Sequence, residues 1–301
     1  MPCSRKFEAA RACSTASKSG ACSRLPLPST RRASTAPLTL LSLRNAMLDT
    51  SLRRFVWFYT KSQLKLKYRY TALGFLWNFL EPALYLLVLS LVFSVVNGMN
   101  VSDYAVFLFG ALMPWRYFEK SVHSCMEAFV GGDWLMKKLY VSPYALPFTR
   151  WAIASVEFLF SLGVVFLFFS VWRASFTIHL LALPIAIIPW AAFGLGVGMI
   201  AAVLFTFFRD VKTIVQMALM LTFFSSPILF RPDTLAEGSV QARLIALHPI
   251  TYFAALFQKP IYHAAWPSLT EWAVSVLVAG AALAIGIALV EKYKNQFYFY
   301  L

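Results

Sequence analysis

The sequence predicts an all-α integral membrane protein: an N-terminal amphipathic interface helix, six transmembrane helices, and re-entrant helices between the fifth and sixth spans. Three observations predict it. Hydrophobic residues make up 59% of the 301 and charged residues only 13%, whereas a soluble domain carries about a quarter charged residues. Apolar runs of about 20 residues recur, the length that crosses a hydrocarbon layer roughly 30 Å thick. Lys and Arg collect in alternate connections between those runs, as loops on the cytoplasmic side do. A greasy soluble helical protein is the alternative, and it has no need of such runs.

Residues 1–46 read differently from the rest. They hold eight Lys/Arg and one acid, Glu8, and contain Pro26, Pro28 and Pro37. This composition buries no core and reads as a disordered extension. A start assigned too early, with Met47 as the true first residue, and an Arg- and Ser-rich organellar transit peptide are the other readings. A secretory signal is excluded, because no clean apolar stretch is followed by a small-residue cleavage site. The domain plan is therefore 1–46 as extension, 47–72 as interface helix and 73–301 as transmembrane domain.

Within the interface helix, Arg54, Lys61, Lys65 and Arg69 fall along one side. Leu52, Phe55, Val56, Tyr59 and Leu66 fall largely on another. This is the pattern of a helix lying on anionic lipid headgroups. Residues 65–70 also alternate with period two, which leaves a strand as the rival reading. The six spans are expected at about 73–96, 104–129, 146–172, 178–205, 211–230 and 269–290. The 130–145 loop carries Lys137 and Lys138, the 206–212 turn carries Arg209 and Lys212, and the C-terminal tail carries Lys292 and Lys294. The positive-inside rule therefore puts both ends in the cytoplasm. The same rule accounts for the net charge of +14 better than nucleic-acid binding does, because the basic residues flank apolar spans. Residues 231–267 supply apolar pieces broken by Pro249, Pro260 and Pro267, each too short to span. Such pieces suit re-entrant or interfacial helices, which need cover from protein or a wet cavity.

The second span holds the least expected pattern. Arg116, Glu119, Lys120, His123 and Glu127 form one stripe roughly 100° wide. Charges inside a span are costly and face a bundle interior or a wet cavity. The stripe reads either as the polar lining of a conduit or as intrahelical pairing, Glu119 with His123 and Lys120 with Glu127. Glu157, in the third span, has no basic neighbour on its own helix face. It calls for an intramembrane ion pair from another helix, with Arg116 or Lys120 as candidates. Aromatics that could guide a glycan through a conduit are Tyr85, Trp115, Phe223, Phe224 and Phe230, with lipid or core packing as the ordinary role of each.

Catalytic chemistry is not written into the chain. It has no GxxxxGK[ST] phosphate loop, no HExxH and no Ser/His/Asp pattern. Cys3, Cys13, Cys22 and Cys125 make neither a CxxC nor a metal-spaced cluster with the four scattered histidines. No catalytic residue and no metal site are expected. An ion-coupled secondary transporter using Glu157 and the charged stripe is one rival class, although no internal repeat is apparent. A membrane-embedded transferase is another, and it lacks an acid/base pair.

Five blocks resemble one family, the permease subunit of ABC-2 type exporters for polysaccharides and related polymers. They are Tyr68-Arg69-Tyr70-Thr71-Ala72-Leu73-Gly74-Phe75-Leu76-Trp77 with Glu81-Pro82; Phe109-Gly110-Ala111-Leu112-Met113-Pro114-Trp115 with Phe118; Leu135-Met136-Lys137-Lys138-Leu139-Tyr140-Val141-Ser142-Pro143 with Pro147; Phe208-Arg209-Asp210-Val211; and Ser226-Pro227-Ile228. The resemblance runs from about Leu64 to Leu301. The chain departs from the pattern in the charges after Trp115 and in His248-Pro249, where Asn-Pro is commoner. The resemblance implies a homodimer with two separate ATPase subunits docked beneath, which bind the ATP and Mg. This chain would hold no cofactor and would not be an enzyme. Arg69, Lys137, Lys138, Arg209 and Asp210 would couple to the ATPase. The first and fifth spans would move to open the channel. Pro249, Tyr252, Phe253 and Phe257 would form an outer gate. The cargo implied is a lipid-linked O-antigen, with capsule or teichoic acid as near alternatives.

Overall fold

Every regular element among the described residues is helical. The computed structural model describes residues 50–69, 73–132, 142–173, 178–230, 245 and 247–297, all inside the unit Leu40–Leu301. The extension at 1–46, the loop with Lys137 and Lys138, and the stretch 231–244 lie outside the described residues.

The first helix, α1 (Thr50–Tyr68), takes up the basic segment, and the alternation at 65–69 builds no strand. Phe55 and Tyr59 stack at 5.4 Å on its inner side and pack in the smaller of two cores. Trp57 and Phe58 are exposed beside Arg53 and Arg54. An aromatic and basic outer face of this kind suits the headgroup layer.

Helix α2 (Trp77–Val96) begins later than the apolar run does. Gly74 sits at φ +49°, and a 3₁₀ turn at Gly74–Leu76 precedes the helix. Its Leu87, Val88, Leu91, Val92, Val95 and Val96 are exposed. Helix α3 (Val101–Met126) follows a turn with Gly98 at φ +63°. It is the most deeply buried of the long helices, and the short α4 (Ala128–Gly131) continues it. Next come α5 (Ala145–Arg173), a 3₁₀ turn at Ile178–Leu181, and α6 (Ala182–Phe207). Helix α7 (Val211–Ser225) stops five residues short of the expected Phe230. Pro227 has no N–H for the ladder and pushes the preceding residue out of the helical region, and Ser226 is extended at ψ 154°. The chain ends with α8 (Pro249–Gln258), a π-turn at Lys259–His263, and α9 (Leu269–Tyr293).

Among the described residues, three helical stretches are long and apolar enough to cross a membrane: Trp77–Val96, Ile178–Phe207 and Leu269–Tyr293. Helix α7 is apolar but shorter. Helix α3 carries Arg116, Glu119 and Lys120, and α8 at ten residues is too short to span.

The main core centres on α3, α6 and α8. Phe118 stacks on Phe193 at 5.1 Å, and Trp190 meets Phe253 at 4.9 Å. The Trp190 indole donates to the Pro114 carbonyl at 2.8 Å. Helices α6 and α9 pack closely because Gly196 and Gly286 face each other. A Cβ on Gly196 would lie 2.5 Å from the Leu283 amide nitrogen, and one on Gly286 would lie 2.7 Å from the Gly196 carbonyl. Small residues bring helix backbones together in this way where lipid supplies no hydrophobic drive.

Gly196→Val is therefore expected to push α6 off α9 and cost about 1–3 kcal/mol, read as lower folded yield and an earlier thermal transition in detergent. Gly280→Ala, which meets nothing within 4 Å, should leave both unchanged.

Candidate functional site

Helix α5 carries Glu157 inward, where only 2% of it is exposed. Lys67 of α1 reaches its Oε1 at 2.6 Å, and Lys120 of α3 pairs with its Oε2 at 2.6 Å. The Tyr68 hydroxyl donates to Oε1 at 2.5 Å. Asn78 of α2 donates its side-chain amide to the Tyr68 oxygen at 2.6 Å, and Ser161, one turn beyond Glu157, donates to the Asn78 carbonyl at 2.7 Å. One carboxylate thus joins α1, α3 and α5, and Tyr68 extends the junction to α2. Burial first, and then the neighbouring carboxylate, hold the Tyr68 phenol well above the ordinary tyrosine range, so it stays a donor. Two cations and a phenol surround the buried carboxylate. Both lysines are partly exposed, which lowers the cost of the extra positive charge.

Beside this junction lies a cleft of about 320 Å³ between α2, α3 and α5. Arg116, Glu119, Lys120 and His123 line it, together with Asn78 and Glu81. Arg116 bridges Glu81 of α2 at 2.7 Å and Glu119 at 2.8 Å, and its guanidinium sits 4.4 Å from the Tyr85 ring centroid. The stripe is therefore tied mostly across helices. Glu127 pairs with Lys212 of α7 at 2.7 Å, not with Lys120.

The expected channel set divides between two places. Tyr85, Arg116, Glu119, Lys120 and His123 lie at or beside the cleft. Trp115 does not line it: it is buried against Phe118 at 5.6 Å and Phe223 at 5.8 Å, because aromatic packing claims that side of α3. Phe224 is exposed on α7, and Phe230 is half-buried beyond the helix end. Of the expected outer-gate set, Pro249 opens α8, where the His248 Nδ1 accepts from the Ile250 amide at 3.3 Å. Burial holds the His248 imidazole below its ordinary value, which favours the neutral, accepting form. Tyr252 is half-buried, while Phe253 and Phe257 are core residues against Trp190. Of the coupling set, Arg69 follows α1 and is exposed. Arg209 and Asp210 form the exposed turn before α7, with Arg209 over the Phe205 ring at 5.3 Å. Lys137 and Lys138 lie outside the described residues.

Sequence reasoning misses Lys67, Tyr68, Asn78 and Glu81 as partners. The available signal is that Glu81 and Arg116 are opposite charges near the same ends of consecutive apolar helices. Among the described residues no group of His, Cys, Asp and Glu is arranged to hold a metal.

The bundle thus has apolar exposed faces, a basic first helix and a charged cleft. The model of the ABC-2 type transporter family matches residues 54–262, from α1 to the π-turn after α8. The chain belongs to the ABC-2 type transporter family. It is 31% identical over 227 residues to the O-antigen export system permease protein RfbA of Myxococcus xanthus, covering 74% of this chain and 87% of that protein. A Klebsiella pneumoniae protein of the same name is 26% identical over 79% of this chain and 91% of its own length. A further Klebsiella pneumoniae protein of that name is 28% identical over 59% of this chain and 69% of its own length. As an ABC-2 type membrane protein, the chain turns its exposed apolar faces on α2, α7 and α9 toward lipid or toward other protein.

Glu157→Leu leaves two lysines and a phenol without their acceptor. The expected loss is on the order of 3 kcal/mol, measured as a lower unfolding midpoint in detergent. The isosteric Glu157→Gln, which still accepts from Tyr68, should lose less.

Proposed function

We propose that this chain is the permease subunit of an ATP-driven exporter that moves a lipid-linked O-antigen across the bacterial inner membrane. The observation that carries this reading is the family membership together with relatives named as O-antigen export permeases over most of their length. The working unit is a homodimer with a separate ATPase subunit that binds ATP and Mg; the chain itself contains no phosphate loop. Six spans cross the membrane with both termini in the cytoplasm, as the loop charges direct. In that arrangement α3 and α5 cross as well, which sets the Glu157 junction in the inner half of the bilayer. The pieces around α8 are re-entrant and close the outer mouth. Capsule polysaccharide and teichoic acid are the neighbouring cargo classes.

The charged cleft supports a structural role more than a proton path. Each Glu157 oxygen already holds a cation, and Arg116 is shared between two carboxylates. An ion-coupled carrier needs a carboxyl that sheds its partner on every cycle.

The test is uptake of lipid-linked polysaccharide into inverted vesicles containing this chain and its cognate ATPase. Uptake should require hydrolysable ATP, stop when the ATPase nucleotide site is inactivated, and survive a protonophore. Uptake driven by an ion gradient without the ATPase would overturn the reading.

A further inference from the structure

The charges around the cleft between α2, α3 and α5 balance in total but not in place. At one end Lys67 and Lys120 share the single carboxylate of Glu157, which leaves that end positive. At the other end Glu81 and Glu119 share the single guanidinium of Arg116, which leaves that end negative. His123 also lines the cleft, and as a neutral imidazole it tips neither end. Arg116 and Lys120 stand four residues apart on α3, about 6 Å along the helix. The cleft is therefore a fixed dipole roughly one helical turn long.

Both ends can reach a ligand. Lys67, Lys120, Arg116, Glu81 and Glu119 are all partly exposed. Ion pairs this exposed contribute little to stability, so turning one toward a ligand is inexpensive. Arg116 takes one oxygen from each carboxylate, Oε1 of Glu81 and Oε2 of Glu119, which leaves the second oxygen of each to another donor. The volume of about 320 Å³ is at the lower end for small-ligand sites, roughly 300–1,000 Å³. It suits a headgroup better than a glycan chain. On α2 the exposed Leu84, Leu87, Val88 and Leu91 begin about one turn beyond Glu81, an apolar track for acyl chains.

A matching ligand carries a negative phosphate and a hydrogen-bonding cation a short distance apart. Phosphatidylglycerol supplies only the negative charge, and phosphocholine has no N–H to donate. We propose that the cleft binds a phosphoethanolamine lipid headgroup, with its phosphate against Lys67 and Lys120 and its ammonium against Glu81 and Glu119. The proposal rests on the membrane placement in the exporter reading, which sets this cleft in the inner leaflet, and not on the cargo or the ATPase.

The test offers the full chain in detergent an equimolar mixture of phosphatidylethanolamine, phosphatidylglycerol and phosphatidylcholine with identical acyl chains. Native mass spectrometry counts the lipid retained. Phosphatidylethanolamine should exceed either of the others by about tenfold, the weight of one hydrogen bond between charged groups. Glu81→Gln with Glu119→Gln should abolish the preference over phosphatidylglycerol, because Lys67 and Lys120 then hold either phosphate alike. Lys61→Gln, exposed earlier on α1, should keep the preference. Equal retention of the three lipids by the parent chain, or a preference for phosphatidylglycerol, would overturn the proposal. So would displacement of phosphatidylethanolamine by excess inorganic phosphate, or a preference that survives the double substitution. The parent's selectivity decides the matter even where a variant fails to fold. Selective binding without ATP-driven uptake would count against the exporter reading alone, and uptake without selective binding would strike the headgroup site alone.

Discussion

The architecture turns on one buried carboxylate. Glu157 sits where α1, the charged central helix and α5 meet, and it accepts from Lys67 and Tyr68 while pairing with Lys120. A lone carboxylate in that place would be several kcal/mol unfavourable. The three partners turn it into a fastening point, and two of them come from α1, which apolar packing holds only in part. Helix α1 presents exposed Trp57 and Phe58 outward and holds the bundle through Phe55 and Tyr59 at one end and Lys67 and Tyr68 at the other. Remove the carboxylate and the second attachment loses its ion pair and the Tyr68 acceptor, keeping the Asn78 bond to Tyr68.

Similar pairings recur among the partly exposed charges. Arg116 is shared by Glu81 and Glu119, and Lys259 of the π-turn pairs with Glu271 of α9 at 2.7 Å. Tyr144, before α5, donates to Glu291 near the end of α9 at 2.5 Å, and Lys294 pairs with the same carboxylate. Most of these bonds join separate elements. Lipid offers helices no hydrophobic reason to associate, so packing and polar bonds carry the association. The glycine contact of α6 with α9 is the apolar counterpart.

Much of this is legible in the sequence, for reasons of length and isolation. Apolar runs locate α2, α6 and α9, because little besides crossing a bilayer calls for an uninterrupted stretch of that length. Glu157 stands out because no cation shares its helix face, and Lys120 follows as a partner. Lys67 does not, because it lies 90 residues away in a helix whose lysines all look alike from the sequence. Arg116, the other candidate for Glu157, goes to Glu81 instead. The end of α7 is misjudged because Ile228, Leu229 and Phe230 continue the apolar run, while Pro227 decides the backbone. Trp115 and Phe253 show a different limit. An aromatic in a membrane protein has the same sequence signature whether it fills the core or lines a path, and packing puts both in the core.

Lys67 and Tyr68 fasten the end of α1 to α5. The Glu157 junction is the attachment closest to the turn into α2. Amide hydrogen exchange of the chain in lipid nanodiscs, parent against Glu157→Leu, tests this most directly. Exchange in the last two turns of α1, about Lys61–Tyr68, is expected to speed at least tenfold while α6 and α9 stay protected. Unchanged protection of that segment in the variant would contradict the fastening role of Glu157.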